Sequence, residues 1–249
     1  MTRIASHRGG TLEFGDSTPT GFRSTARLPL EEVEFDLHPS ADGAIMVHHD
    51  PTLDGTTDGS GEIRKLTEVE IRAARINYSV GEHPISLAEL CEIYADSAVD
   101  FRCEFKPDCC GLPYPDFVSK AIEVLKHHDM LERTGFSSFL IATLDELVRH
   151  TDQSRLWLVS PAIQTQLGIK AVIEVAQTHG IPEIGLNIDR ANPQIMAQVE
   201  EAGIEFGCWA AHDTAQITKA LQLKVKVFTT DRPSLAIALR TGFAQEAEQ

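Results

Sequence analysis

The chain has 249 residues, and its 22 lysines and arginines against 37 aspartates and glutamates give a formal net charge of −15. With 42% hydrophobic residues it can bury a substantial core, which excludes a disordered, collagen-like or coiled-coil chain. The acidic balance argues against a nucleic acid or an anionic membrane as a partner, whereas a small anionic substrate needs only a local cation or a bound metal.

The lack of a recognisable targeting segment and the pattern of cysteines predict an intracellular protein. The first residues, MTRIASHRGG, hold no apolar run that could form a signal peptide, and no stretch has the roughly 18 apolar residues of a membrane-spanning helix. The five cysteines fit neither a disulfide framework nor a CxxC zinc pattern, and the adjacent Cys109 and Cys110 lack a second ligand pair. We expect reduced cysteines, a cytoplasmic protein and a frayed polar tail at residues 245–249.

Short β-rich runs alternate with segments of helical periodicity along the whole chain. Strands are predicted at residues 3–7, 32–37, 101–105, 138–142, 155–159, 184–188, 205–209 and 225–229. Helices are predicted around 117–125, 171–176, 193–202, 214–223 and 233–240, with Asn192, Asp213 and Ser234 as N-caps. Eight such units without a composition break favour an α/β (β/α)8 TIM barrel, a single domain over residues 1–249. No glycine-rich phosphate loop follows a predicted strand, which weakens the Rossmann and P-loop alternatives.

One interval is too long for a single crossover helix. More than 60 residues separate the second and third predicted strands, and they include the turn dipeptides Asp42-Gly43, Asp54-Gly55 and Asp58-Gly59. The run 44–48 predicts a short extra strand. We therefore expect a small insertion after strand two, at about residues 40–84, on the barrel face where active-site loops gather.

The second predicted strand alternates apolar and acidic residues. Because side chains alternate across a strand, Val33, Phe35 and Leu37 share one face while Glu34 and Asp36 share the other. We expect the apolar face to pack against the helices outside the barrel. The two carboxylates on the opposite face would then point into the barrel mouth. Surface carboxylates on an edge strand are the alternative, but apolar residues flank this strand on both sides.

The third predicted strand repeats the pattern, with Glu104 and Lys106 on one face. Three carboxylates in a poorly solvated site repel one another, and a divalent cation would compensate their charge. All-oxygen ligands favour a hard ion, so we expect Mg²⁺ or Ca²⁺ rather than zinc.

Two histidines lie near this cluster. His7 ends the first predicted strand and precedes Arg8 in a glycine-rich turn, where an imidazole beside a guanidinium suits a phosphate, and His49 lies at the mouth of the insertion. A cation, a base and an acid together suffice for phosphodiester cleavage. The other histidines are interpreted as structural or exposed: His38, His83, His127, His128, His150, His179 and His212.

With these residues in place, the chain resembles the glycerophosphodiester phosphodiesterases. The matching motifs are Ser6-His7-Arg8-Gly9, Glu34-Phe35-Asp36, His49-Asp50-Pro51-Thr52-Leu53-Asp54 with Thr56-Thr57, Leu87-Ala88-Glu89-Leu90, Glu104-Phe105-Lys106-Pro107, Trp209 and Thr230-Asp231-Arg232-Pro233. Each motif is short, but their order and spacing span essentially the whole chain.

The resemblance implies a metal-dependent hydrolase that splits a small glycerophosphodiester into a phosphomonoester and an alcohol. In that family a hydroxyl beside the phosphate can attack first, and water then opens the cyclic product. The carried-over roles are metal binding by Glu34, Asp36 and Glu104, acid–base catalysis by His7 and His49, and phosphate binding by Arg8 and Lys106. Which histidine is the acid stays open, as do the choice between Mg²⁺ and Ca²⁺ and the oligomeric state.

Departures from the family pattern concern the substrate side. Gly15-Asp16-Ser17-Thr18 stands where the family usually has Pro-Glu-Asn-Thr, and Gly55 replaces a common arginine. Asp16 and Trp209 are the expected pocket residues. The same chemistry on a sugar phosphodiester, such as an agrocinopine-type opine, therefore remains an alternative. Less favoured are a phospholipase D-like lyase, which is typically secreted and disulfide-bonded, and a non-catalytic phosphodiester-binding barrel.

Overall fold

The structure, a computed structural model, describes residues 1–247 and contains a closed parallel barrel. The strands are β1 (Arg3–His7), β2 (Glu32–Pro39), β3 (Ile45–Val47), β4 (Asp100–Phe105), β5 (Thr134–Ser138), β6 (Arg155–Val159), β7 (Glu183–Asn187), β8 (Glu205–Trp209) and β9 (Val227–Thr230). β1 pairs in parallel with both β9 and β2, which closes the ring, and β3 adds to β2 in antiparallel. The predicted TIM barrel is confirmed.

Helices connect the strands and cover the barrel. They are α1 (Thr11–Phe14), α2 (Pro19–Thr25), α3 (Glu68–Ala73), α4 (Leu87–Tyr94), α5 (Phe117–His127), α6 (Ile141–Leu147), α7 (Pro161–Thr178), α8 (Pro193–Glu201), α9 (Thr214–Leu223) and α10 (Pro233–Ala247). Single 3-10 turns lie at Ile63–Lys65, Leu131–Arg133 and Ile188–Arg190. Within residues 1–247, no helix combines the length and apolarity needed to span a membrane.

The predicted strand at 138–142 is wrong. The strand is β5, which ends at Ser138, and the apolar residues after it begin α6. β5 shows no hydrophobic pattern in the sequence because two of its buried residues, Thr134 and Ser138, are polar. Their hydroxyls donate to the carbonyls of Met130 and Phe105. An apolar run predicts burial, but the run at 138–142 is too short for its periodicity to distinguish a strand from a helix.

The predicted helix caps are partly right. The side chains of Asn192 and Asp213 accept the backbone N–H groups of Ile195 and Gln216, as N-caps do. The prediction for Ser234 is wrong, because α10 begins at Pro233 and places Ser234 inside its first turn.

Two further predictions concern the chain end and the cysteines. The expected tail is wrong for residues 245–247, which continue α10, while 248 and 249 lie outside the described residues. All five cysteines, each within the described part of the chain, are free thiols.

The segment between β2 and α4 builds a small unit with its own core. Its β3 pairs with the end of β2, matching His38 to Met46, and the predicted run 44–48 is found as Ile45–Val47. A separate apolar cluster consists of Met46, Leu53, Ile63, Ile71 and Ala74. This cluster fixes the loop that carries His49 at the carboxyl ends of the strands.

The barrel strands divide their side chains between the shell and the interior. Val33, Phe35 and Leu37 are fully buried in the main apolar core, as the alternation on β2 predicts. Below the mouth, the interior holds a charged layer instead of an apolar one. The Nε of Arg102 lies 2.5 Å from Glu32 Oε2, and its second arm is 3.6 Å from Glu183 Oε1.

Candidate active site

A cavity of about 270 Å³ opens at the carboxyl ends of the strands. One half of its lining is charged, and the other half is aromatic and apolar. The charged half includes His7, Arg8, Glu34, His49, Glu104 and Lys106, and the other half includes Phe139, Leu158, Trp209 and Ala210 with His212 beside them. The structure therefore brings most of the sequence-predicted site residues to one cavity.

Three carboxylates meet at its base. Register pairing places Asp36 beside Glu104 on neighbouring strands, and Glu34 lies one alternation earlier on β2. Each offers an oxygen within 4.8 Å of the others, and none is more than 6% exposed. Burial, aided by the field of Asp36, raises the pKa of Glu34 to about 8. Burial likewise raises the pKa of Glu104, although Lys106 opposes it.

Two cations border the carboxylates. Lys106 Nζ lies 2.9 Å from Glu104 Oε1 and 3.4 Å from Asp36 Oδ1, and Arg8 Nε lies 3.1 Å from Asp36 Oδ2. Burial alone would raise the pKa of Asp36, but the fields of Lys106 and Arg8 outweigh it and hold that pKa well below its usual value. These two cations are placed to contact any anion that enters the cavity.

The donor set fits a hard divalent cation. Both oxygens of Asp36 and Oε1 of Glu104 are buried, and within residues 1–247 these three atoms have the ion pairs with Lys106 and Arg8 but no hydrogen bond of good geometry. Buried carboxylate oxygens whose hydrogen bonding is incomplete are costly, and an all-oxygen cluster is the ligand type that Mg²⁺ and Ca²⁺ prefer. Glu34, Asp36 and Glu104 could therefore hold such an ion.

His7 contacts Asp231 and lies beside His212, two neighbours to which the sequence analysis assigned no role at the site. Its Nδ1 lies 2.5 Å from Asp231 Oδ1, while its Nε2 points towards Glu34, 3.9 Å from Oε2. Burial would lower the pKa of His7, but the Asp231 bond and the Glu34 field raise it overall. The ring of His212, interpreted from sequence as structural or exposed, lies 5.7 Å from that of His7 and lines the cavity.

A signal for Asp231 was present in the sequence. It lies two residues after the last predicted strand, at the edge where strand ends meet, within a motif quoted for the resemblance. His212 carries a weaker signal, because it lies three positions beyond the last residue of β8.

His49 has a matching arrangement. Its Nδ1 lies 2.6 Å from Asp50 Oδ1, which leaves Nε2 free of that contact. Next to it, His38 is fully buried, and burial lowers its pKa to about 4. His48 holds the following loop through Thr52 O and the hydroxyl of Thr56. Both imidazoles of the predicted pair are thus anchored at Nδ1 by a carboxylate.

The two expected pocket residues take different positions. Trp209 lines the cavity, contacts Phe139 edge to face at 5.9 Å and donates its indole N–H to Gly185 O. Asp16 instead accepts from Arg8 at 2.8 Å and from Ser17, and lies outside the cavity lining. Asp16 therefore orients Arg8, which does line the cavity.

Known proteins share this sequence pattern and fold. The profile of the glycerophosphoryl diester phosphodiesterase family matches residues 7–235. A crystal structure of a provisionally named glycerophosphoryl diester phosphodiesterase from Agrobacterium tumefaciens is 63% identical, with a TM-score of 0.98 over 98% of this chain and 99% of that one. A glycerophosphodiester phosphodiesterase of Caldanaerobacter subterraneus is 24% identical over 96% of this chain and 97% of its own length.

A more distant structure shares the fold. A phosphodiesterase of Oleispira antarctica, solved with the product sn-glycerol-3-phosphate, is 21% identical with a TM-score of 0.83, covering 97% of each chain. The family profile matches nearly the whole sequence, and the barrel fold agrees with it. The chain belongs to the glycerophosphoryl diester phosphodiesterase family and is a phosphoric diester hydrolase of that family.

Proposed function

We propose that this protein, as one catalytic domain over residues 1–249 with an insertion at about 40–84, hydrolyses small glycerophosphodiesters. The products are a phosphomonoester and an alcohol, and a divalent cation, Mg²⁺ or Ca²⁺, is required. The observation that carries the proposal is the cavity that holds His7 and His49 together with a buried cluster of three carboxylates. The product bound to the Oleispira relative supports the substrate class.

Each charged side chain has a role that follows from its position. Glu34, Asp36 and Glu104 would hold the cation, which when bound neutralises charge on the phosphoryl oxygens. Arg8 and Lys106 bind the same oxygens from the protein side, because their charged groups border the cluster and face the cavity. A guanidinium fork suits a phosphate in two-point contact, which assigns Arg8 the orienting role.

The two histidines handle the protons. Asp231 and Asp50 each accept from Nδ1 of their histidine, which leaves Nε2 as the proton-transferring atom. One Nε2 removes the proton of the attacking substrate hydroxyl, and the other donates a proton to the departing alkoxide, which leaves as the alcohol. Water then opens the resulting cyclic phosphodiester to the phosphomonoester. A positioned acid or base typically contributes about 10²- to 10⁴-fold in rate.

The cavity limits the alcohol. Its volume of about 270 Å³ must hold the phosphate and the alcohol together, which favours small substrates. The family motif at residues 15–18 is altered, and Asp16 is bonded to Arg8 instead of facing the cavity. A substrate panel should therefore include sugar phosphodiesters beside glycerophosphodiesters.

The test is turnover by the purified protein over that panel with Mg²⁺ or Ca²⁺ added. His7→Ala and His49→Ala should each lower kcat by about 10²- to 10⁴-fold, because each removes one proton-transfer group. His179→Ala is the matched control, since it removes another histidine bonded to a carboxylate, Asp145, away from the cavity. Wild-type turnover by either cavity variant, or full activity in excess chelator, contradicts the proposal.

A further inference from the structure

The cavity histidine His49 is held through its backbone by a buried pair outside the cavity lining. His38, on β2, and Tyr114, in the loop between β4 and α5, are 0% and 5% exposed. His38 Nε2 lies 3.0 Å from the carbonyl oxygen of His49, and His38 Nδ1 lies 2.9 Å from the hydroxyl of Tyr114. One imidazole thus links three segments of chain at the barrel mouth.

The direction of both hydrogen bonds follows from what each atom can do. A carbonyl oxygen only accepts, so His38 Nε2 carries the hydrogen and donates to His49. A neutral imidazole has one N–H, so its Nδ1 accepts, and the Tyr114 hydroxyl donates to it. The chain of donors runs from Tyr114 through His38 to the peptide carbonyl of His49, and each group has a single role.

This contact matters because it acts on the peptide carbonyl of His49 itself. His49 lies beyond the end of β3, and in the part of the chain that the structure describes its carbonyl accepts from His38 alone. The imidazole of His49 is held at Nδ1 by Asp50, which lies in the same loop and moves with it. The preceding residue, His48, already donates its N–H to Asp36 O at 3.0 Å, and the His38 bond adds a second tie to β2 at the His49 carbonyl itself.

Tyr114 is itself held firmly. Its ring packs edge to face on Phe117 at 5.4 Å and on His38 at 5.7 Å. Phe117 begins α5 and belongs to the main core. The support for His49 therefore extends from the barrel core outwards.

We propose that His38 and Tyr114 are positioning residues that set the location of the His49 imidazole for proton transfer. This inference rests on the proposed function, in which His49 exchanges a proton with the substrate. Geometric errors of about 1 Å at a reacting group can cost 10²-fold in rate. Neither residue lines the cavity, so the effect should fall on kcat and leave KM largely unchanged.

The test compares variants that remove the link with variants that keep it. His38→Leu should lower kcat about 10- to 100-fold with KM within about twofold, because the His49 peptide loses its anchor. His38→Gln should recover most of the activity, since its side-chain amide can donate to the same carbonyl. Tyr114→Phe should cost less than His38→Leu, because the ring packing is kept.

Tyr94→Phe is the matched control for Tyr114→Phe. Tyr94 is also buried, and its hydroxyl pairs with the Thr25 hydroxyl at 2.7 Å on the outside of the barrel. Both variants should lower the melting temperature to a similar extent, while only Tyr114→Phe lowers kcat. Equal losses of kcat in the two variants would reduce the role of Tyr114 to general stability and overturn the proposal.

A double-mutant cycle isolates the coupling to His49. In the His49→Ala background, His38→Leu should cause no further loss of kcat, because the group it positions is already gone. A loss as large as in the wild-type background would overturn the proposal. So would a weaker Mg²⁺ affinity of His38→Leu by calorimetry, which would place its effect at Asp36 instead.

Failure of the proposed function can be told apart by NMR of labelled histidines. His38→Leu should shift or broaden the imidazole signals of His49 and leave those of His179 unchanged. If the His49 signals match the wild type, the positioning role is wrong whatever the activity. If they change while His49→Ala turns over substrate like the wild type, positioning holds and the catalytic role of His49 fails.

Discussion

Replacing Arg102 should destabilise the barrel through the loss of its charge. It lies in the interior charged layer below the active site, pairs with Glu32 and Glu183, and is 6% exposed. Arg102→Met keeps approximate volume, so packing changes little, but it leaves two buried carboxylates with less compensation. The variant therefore measures the electrostatic part of the layer.

The expected loss in free energy of unfolding depends on the ion pairs that Glu32 and Glu183 keep. Removing one partner of a buried ion pair typically costs about 3–5 kcal/mol. Glu32 keeps Arg3 and Glu183 keeps Lys226, each at 2.8 Å, so we expect the lower end, about 3 kcal/mol at pH 7. Urea unfolding followed by circular dichroism measures the difference in free energy of unfolding.

The loss should depend on pH. Burial would raise the pKa of Glu32, but the fields of Arg102 and Arg3 lower it below 4.5 overall. A lowered carboxyl pKa gives stability that is present above pH 4.5 and lost as the pH falls through the folded-state pKa. The difference between Arg102→Met and the wild type should therefore shrink in acid.

A surface arginine supplies the control. Arg64 pairs with Glu62 and Asp108 at 2.9 and 3.1 Å but is exposed, so Arg64→Met should change stability far less. If the two variants lose equal stability at pH 7, or if the loss at Arg102 is the same at every pH, the charged layer does not stabilise the barrel as argued.

Three further predictions concern the active site. Asp231→Asn should lower kcat about 10²- to 10⁴-fold by leaving His7 without its carboxylate, and unchanged turnover would show that the bond is dispensable. Arg8→Lys should raise KM about tenfold or more because the planar fork is lost, and an unaltered KM would remove Arg8 from phosphate binding. Since burial and Asp36 raise the pKa of Glu34 to about 8, that group holds a proton at pH 7 in the metal-free protein. Mg²⁺ binding at pH 7 should release about one proton and strengthen as the pH rises, and calorimetry in two buffers of different ionisation enthalpy would reveal zero release if the reasoning is wrong.

Local alternation carried much of the prediction from sequence. On β2 the apolar residues face the helices and the carboxylates face the mouth, since a strand has a strict period of two. Glu104 could be added because parallel strands present their carboxyl ends at one edge. These inferences need only the order of residues within a strand and the fold class.

The contacts that sequence reasoning missed depend on closure of the barrel. His7 and Asp231 are 224 positions apart, and they meet because β1 pairs with β9. His212 reaches the cavity, and Tyr114 reaches His38, from loops whose paths no periodicity encodes. β5 was misplaced for a different reason: its Thr134 and Ser138 are polar although buried, because their hydroxyls donate to the carbonyls of Met130 and Phe105.

The charge balance of the mouth links the predicted cluster to its chemistry. If Glu34, Asp36 and Glu104 are counted together with the arginine and lysine ion-paired to this cluster, Arg8 and Lys106, these five side chains carry one negative charge in excess. A proton on Glu34, as its raised pKa predicts, makes the metal-free cluster neutral. With a divalent cation in place of that proton, the excess becomes one positive charge, which the single negative charge of a phosphodiester neutralises. Because buried net charge is costly, the site favours cation and substrate together over either alone.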